Sequence, residues 1–335
     1  MPKKTLLITL GDANGLGPEL ACRLFGEDIF IAAKRPIIMI GSAASLLVHT
    51  ERLNMDPFWE VVESPRDITS KAYGVYLYEP SSIRDLPITV GEATKEGGFI
   101  AGESLQAACQ CITDGIATGM VTLPLHKAML QEAGFDFPGH TEFLARHAGL
   151  QDDEVCMHLC GEILRVSLAT THPPLRDVAD MITEERLLRT FKLTDDFMKQ
   201  VGHGDRPIAV CGLNPHAGES GKIGTEDQEI VAPAVLKAQA MGMNIEGPFP
   251  ADTLFHKAAR GVYSAVVAMY HDQGLAPLKL LHFSEAVNVT LGLPFVRTSV
   301  DHGTGFDIVG KDIAHTNSFR EAIRLAILML EGDEL

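Results

Sequence analysis

Short β-type runs alternate with amphipathic helical segments along most of this chain, and that rhythm restricts its architecture more than any other feature. Residues 5–10, 36–41, 120–123, 207–213, 265–270 and 286–291 read as strands, and apolar periodicity predicts helices over 17–25, 102–113, 184–201 and 318–331. In the last of these, Phe319, Ala322, Ile323, Ala326, Ile327 and Leu330 recur at helical spacing, a face broad enough to pack on a sheet. Parallel strands need crossover connections rather than tight turns, so the pattern predicts an α/β fold with a mainly parallel sheet and helices on its faces.

Nothing resembling a repeat, a charge block or a flexible linker interrupts the chain, and its 335 residues suit one large domain or two lobes. Residues 155–170 break the βα rhythm as a hairpin turning near Gly161-Glu162, either an arm for a partner subunit or an ordinary strand pair. Thr225 with Gln228 forms a capping-box pattern that should open a helix, which Pro233 keeps from being regular. The Met-Pro-Lys-Lys start has no secretory features, and no apolar run reaches the roughly 18 to 20 residues of a membrane span, so a soluble cytoplasmic protein is expected. The formal charge of −16, from 44 acidic and 28 basic residues, argues against nucleic acid and anionic membranes as partners while leaving small anions open. Cys22, Cys109, Cys111, Cys156, Cys160 and Cys211 lack zinc-ribbon spacing and are expected as reduced, buried thiols.

Three histidines follow strand-like runs in Pro- or Gly-punctuated segments: His172 in Thr-Thr-His-Pro-Pro, His216 in Asn-Pro-His-Ala-Gly-Glu and His271 in Met-Tyr-His-Asp-Gln-Gly. Open α/β sheets place their chemistry where strands empty into loops, and three neutral imidazoles satisfy a catalytic divalent metal. They are equally readable as unrelated loop residues among 13 histidines. The first strand runs into Gly11-Asp-Ala-Asn-Gly-Leu-Gly-Pro-Glu19, which is not the Gly-x-Gly-x-x-Gly dinucleotide fingerprint; Asp12 there can be a plain turn residue. Gly139-His140-Thr141-Glu142 opens a helix to His147, with Thr141 as its cap or with His140 and Thr141 turned to a phosphate. From His271 onward Asp272, Gln273, Lys279, Asn288 and Arg297 are spaced through apolar sequence, either solvated surface groups or a pocket for phosphate or carboxylate. Residues 299–311 read as a polar, Gly-rich loop of the kind that binds a ligand or stays mobile.

Taken together, Gly139-His-Thr-Glu, Asn214-Pro-His-Ala-Gly-Glu, Pro250-Ala-Asp-Thr, Tyr270-His-Asp-Gln-Gly-Leu and the run from Asn288 to Thr304 resemble the 4-hydroxythreonine-4-phosphate dehydrogenase family of vitamin B6 biosynthesis. Gly-Leu-Gly-Pro-Glu and His302-Gly-Thr-Gly-Phe-Asp-Ile-Val-Gly-Lys also resemble motifs of isopropylmalate and isocitrate dehydrogenases. The resemblance implies an isopropylmalate dehydrogenase-like α/β/α fold with two lobes around a cleft, roughly 1–140 plus 285–335 and 141–284. It implies His172, His216 and His271 as ligands of zinc, magnesium or cobalt, in a homodimer whose site lies at the subunit interface and draws on both subunits. It implies His140, Thr141, Lys279, Asn288 and Arg297 as binders of a phosphorylated substrate. His302, Gly303, Thr304 and Asp307 would hold the adenosine part of NAD or NADP, and Lys279 or Asp272 would relay a proton. The implied reaction oxidises 4-(phosphooxy)-L-threonine at C3 and decarboxylates the product to 3-amino-2-oxopropyl phosphate. Three departures from the family pattern, Ala13-Asn14, His126 and Gly305, bear on substrate identity. Phosphothreonate or phosphoerythronate oxidation is the nearest rival, and a metal-dependent phosphatase or a non-catalytic binding protein are rivals from other classes.

Overall fold

The structure, a computed structural model, describes residues 5–27, 35–68, 73–136 and 139–332; the Met-Pro-Lys-Lys start lies outside the described residues. Two compact units divide the chain, Met1–Gly149 with Leu293–Glu331 and Leu150–Gly292 with Gly332–Leu335.

In the first unit, strands β1 (Thr5–Thr9), β2 (Pro36–Ile40), β3 (Glu60–Val62), β4 (Gly74–Tyr78), β5 (Ala117–Thr122) and β12 (Val296–Val300) stand in the order β3-β4-β2-β1-β5-β12. Every neighbouring pair among them is parallel. β1 and β2 are buried at every position, as strands covered on both faces require. The helices are α1 (Leu16–Glu27), α2 (Ala43–Arg52), α3 (Lys95–Thr113), α4 (Lys127–Glu132), α5 (His140–His147) and α11 (Asn317–Gly332). Periodicity places α3 only from residue 102, but the helix starts at Lys95, capped by the Thr94 side chain, which accepts the Gly97 N–H. Its early glycines are packing devices: a Cβ at Gly98 would lie 2.3 Å from the Met129 backbone, so only glycine lets α3 approach α4 this closely.

In the second unit, β6 (Cys156–Cys160), β7 (Arg165–Leu168), β8 (Ile208–Cys211), β9 (Ile245–Phe249), β10 (Ala265–Ala268) and β11 (Val287–Leu291) stand in the order β11-β6-β7-β10-β8-β9. β6 pairs antiparallel with β11 and β7, whereas β7, β10, β8 and β9 run parallel. The 155–170 hairpin is therefore a strand pair hydrogen-bonded on both sides within its own subunit. Helices α6 (Val178–Met181), α7 (Glu184–Gln200), α8 (Ala232–Ala240), α9 (Ala251–Ala258) and α10 (His271–Leu281) complete the unit. The expected capping box is not made. The chain enters α8 through a π-turn, Asp227–Val231, and Thr225 contributes only its carbonyl, which accepts the Gln228 and Glu229 N–H groups. Pro233 is the second residue of α8, directly after the π-turn.

All six cysteines are free thiols and five are buried. Burial pushes Cys22 and Cys109 up to about 12, leaving them protonated and poor ligands. Among the described residues no helix is long and apolar enough to cross a membrane.

Candidate active site

The second unit carries the three marked histidines along one sheet edge. β10 lies between β7 and β8 and is parallel to both, so the segments bearing His172, His271 and His216 leave the same, C-terminal edge of three adjacent strands. With strands about 4.8 Å apart, these exits span roughly 10 Å. The His172 and His271 rings come together, with centroids 5.3 Å apart. His271 is not in a loop but opens α10, with Tyr270 as its cap residue. Its Nδ1 lies 2.7 Å from Asp272 Oδ1, so Nδ1–H donates to the carboxylate and Nε2 keeps the lone pair that a metal ligand needs. His216 is exposed, in a left-handed segment after β8. Among the described residues no group of three His, Cys, Asp or Glu side chains stands ready to hold a metal. Two imidazoles, one of them backed by a carboxylate, nevertheless match the donors of a borderline divalent ion, and His216 is the third imidazole on that edge.

Lys279 lies on α10 beyond Pro277, which the helix accommodates. Eight residues of helix separate it from His271, roughly 12 Å along the axis. Asn288 lies in β11, and its buried Oδ1 has no hydrogen-bond partner among the described residues, an acceptor suited to a ligand donor.

In the first unit Arg297 is no solvated surface group: it sits inside β12, 3% exposed, donating to Thr122 Oγ1 at 2.8 Å. Burial brings its guanidinium down to about 10. Thr141 does not cap α5: Gly139 occupies the cap position without a side-chain bond, and Thr141 falls in the first turn. Uncapped N–H groups at that helix start are available to an anion. Burial, then the charges of Arg297 and Lys127, holds His140 well below the usual imidazole range, so it is neutral at pH 7. A buried guanidinium, a nearby ammonium and a neutral imidazole at a helix N-terminus are groups of the kind that anions bind.

The loop after β12 is pinned to α1 at two points. The Leu16 N–H donates to Thr304 O at 2.8 Å, and the Gly310 N–H donates to Glu19 Oε2 at 2.7 Å. Glu19 is buried and pairs with Arg23 and Arg52 at 2.9 and 3.0 Å, and both arginines also reach Asp312. His302 and Gly303, ahead of the first anchor, and Asp307, between the two, face solvent, and Thr304 is half-buried. Gly305 has φ +58°, and a Cβ there would meet Leu16 Cδ1 at 2.2 Å, so alanine here would be strained and would displace the Leu16 side chain. The other two departures have local tasks. His126 caps α4 by accepting the Met129 N–H, and Asn14 accepts the Thr89 N–H at 2.7 Å while donating to Thr94 Oγ1 at 3.0 Å.

Asp12 is more than a turn residue. It is fully buried, accepts the Asn14 N–H with Oδ1, and has no partner for Oδ2 among the described residues. Burial raises it to about 6, against lowering by the Asn14 bond and by His126. No sequence signal marks Asp227 either, because its role, accepting the Asn214 N–H, depends on a loop 13 residues upstream.

A D-threonate 4-phosphate dehydrogenase of Bordetella bronchiseptica is 40% identical over 331 residues, covering 98% of this chain and 93% of that protein. A 4-hydroxythreonine-4-phosphate dehydrogenase of Geobacter metallireducens is 41% identical over 339 positions, covering 98% and 96%. The crystal structure of a 4-hydroxythreonine-4-phosphate dehydrogenase from Klebsiella pneumoniae superimposes with a TM-score of 0.83 at 35% identity, covering 98% of this chain and 100% of that one. The family described as pyridoxal phosphate biosynthetic protein PdxA matches residues 32–326, and with these relatives it shows that the chain belongs to the PdxA family.

Proposed function

We propose that this chain is a dehydrogenase that uses NAD or NADP and a divalent ion to oxidise 4-(phosphooxy)-L-threonine at C3, the resulting β-keto acid decarboxylating to 3-amino-2-oxopropyl phosphate. One observation carries this assignment: three histidine-bearing segments leave one edge of adjacent strands β7, β10 and β8, with the His172 and His271 rings 5.3 Å apart. Relatives near 40% identity over nearly the whole chain bear the corresponding names.

His172, His216 and His271 would hold zinc, magnesium or cobalt in a site that draws on both subunits of the dimer. When bound, such an ion supplies Lewis acidity that makes a substrate hydroxyl acidic and stabilises charge as carbon dioxide leaves. The chain's own residues do the rest. Arg297, His140 and Thr141 take the phosphate, with α5 directing its N-terminal N–H groups at the anion. Asn288 offers its unpaired Oδ1 to a substrate hydroxyl or ammonium. Asp272, bonded to His271, orients that ring, which leaves proton transfer to Lys279. Oxidation sends a hydride to nicotinamide and releases the hydroxyl proton; decarboxylation then needs a proton returned to carbon. His302, Gly303, Thr304 and Asp307 hold the adenosine end, on a loop fastened to α1.

A homodimer, with the site at its interface, fits an apolar surface on the second unit. Leu280 and Phe283 are 84% and 82% exposed, and Ile163 is exposed beside them, its N–H donating to His282 Nε2 at 3.2 Å. Reduced buried thiols suit a cytoplasmic setting.

The B. bronchiseptica relative favours a second reading, oxidation of a 4-phosphorylated threonate, which keeps every role above and replaces the C2 ammonium by a hydroxyl. Reduction of NAD and of NADP with 4-(phosphooxy)-L-threonine and with D-threonate 4-phosphate, before and after chelation and with each metal restored, decides between them. Faster turnover of the amino acid supports the first reading. Phosphate release without nicotinamide reduction would replace both by a hydrolase.

A further inference from the structure

Arg297 of β12 is registered opposite Met120 of β5, so both side chains stand on one face of the sheet. On that face Leu130 of α4 and Leu144 of α5 join Met120 in a single core cluster. Thr122, which accepts from the Arg297 guanidinium, is two positions on from Met120 and is the last residue of β5. The guanidinium therefore reaches along the sheet to the edge where β5 ends and α4 soon opens, at Lys127.

The start of α5 meets Lys127 at that edge. A Cβ placed on Gly139, the cap residue of α5, would lie 3.1 Å from Glu142 Oε2, 3.3 Å from Lys127 Cε and 3.6 Å from Lys127 Nζ. Gly139 has φ 176° and ψ −179°, extended backbone that any residue adopts, so the missing side chain is a matter of space. An ammonium and a carboxylate bound that space. The Glu142 charge also reaches Arg297, and the charges of Arg297 and Lys127 both reach His140. Of these groups Glu142 alone is anionic.

A glutamate in the first turn of a helix has an ordinary use, complementing the positive end of the helix dipole. That use explains a carboxylate at this position but not its place beside the two cations that a phosphate would need. There it acts on an incoming anion as a like charge. A phosphate monoester carries roughly −1.5 to −2 charge at pH 7, so the repulsion is felt by any phosphate that enters.

We infer that Glu142 is a resident counter-ion of the phosphate seat, balancing Lys127 and Arg297 in the unliganded chain and weakening the seat's hold on every phosphate. This rests on the phosphate role proposed above for Arg297, His140 and Thr141, to which Lys127 is added as a second cation. The repulsion is common to inorganic phosphate and to a phosphorylated substrate. Only the substrate has a carboxylate and a hydroxyl with which to offset it. Specificity is a difference of affinities, and here the repulsive element keeps free phosphate out of a seat that the whole substrate can still fill.

Calorimetric titration of inorganic phosphate into the full-length protein tests the inference. Glu142→Gln keeps the side chain's length and removes its charge, and it is expected to bind inorganic phosphate about tenfold more tightly than wild type. Glu142→Ala should change binding in the same direction and carries the test if the glutamine variant fails to fold. Lys127→Met should weaken binding several-fold. A purely structural glutamate predicts the opposite sign, because a loosened α5 start would lower both the melting temperature and the phosphate affinity of Glu142→Gln. Unchanged, weaker or absent phosphate binding in Glu142→Gln and Glu142→Ala would overturn the inference. If Arg297→Gln and His140→Ala bind phosphate as tightly as wild type, the phosphate reading itself fails and takes the inference with it, a result distinguishable from the first.

Discussion

Asp12 shows how a single residue can work against the fold that holds it. A buried carboxyl raised to about 6 keeps its proton in the folded chain over a range where the unfolded chain, at about 3.8, has lost it. The folded state then binds more protons than the unfolded state, so stability falls as pH rises from about 4 to about 6 and levels off above that. The size of this contribution is on the order of 3 kcal/mol. Asp12→Asn removes it, so denaturant melts at several pH values should show the variant gaining on wild type between pH 4 and 6 and holding a constant difference above. A pH-independent difference would mean that Asp12 is already ionised well below pH 6. Its burial cannot be seen in Gly-Asp-Ala-Asn, because α3 supplies the cover: a Cβ at Gly97 would lie 2.6 Å from Asp12 Oδ1. His140 has the opposite sense. Lowered well below 6.5, it contributes stability that is present above the unfolded pKa and is lost as pH falls through the folded value.

Among the elements, α1 and the loop after β12 are coupled through Glu19. Four charged groups, Glu19, Arg23, Arg52 and Asp312, balance one another, and losing the Glu19 charge would leave two arginines to Asp312 alone. Its carboxyl lies below the usual range despite that burial, because the Gly310 N–H and the two arginines favour the ionised form. Glu19→Gln is expected to cost about 3 kcal/mol in chemical denaturation and to speed amide exchange at Gly310, with the dinucleotide KM rising more than kcat falls. Unchanged exchange at Gly310 would show that the loop is held by other means. Most of the strands and helices are legible in apolar periodicity, since their buried faces repeat. Periodicity misses what packing overrides. The start of α3 hides behind glycines that serve close approach, Arg297 is equally readable as a surface cation although it is a buried strand residue, and Thr141 reads as a cap that glycine takes instead.

For the whole molecule, the exposed Leu280 and Phe283 make a prediction about assembly. Apolar side chains this exposed and this close together are rare on a surface that stays in water. Phe283→Asp with Leu280→Asp should shift the protein from dimer to monomer in sedimentation velocity, and an unchanged mass would place the interface elsewhere. At this scale the division between sequence and structure is plain. Alternating strand and helix patterns determine a largely parallel sheet, and with it the fact that His172, His216 and His271 all follow strands, because periodicity is a local property written in consecutive residues. Which strands are neighbours is decided only in the folded chain. The order β7-β10-β8 sets β10 between two strands that precede it in sequence, through pairings that span tens of residues, and that adjacency brings His271 to His172. Burial of Asp12 and Asp227 is decided the same way, because the groups that cover and hydrogen-bond them arrive from distant segments.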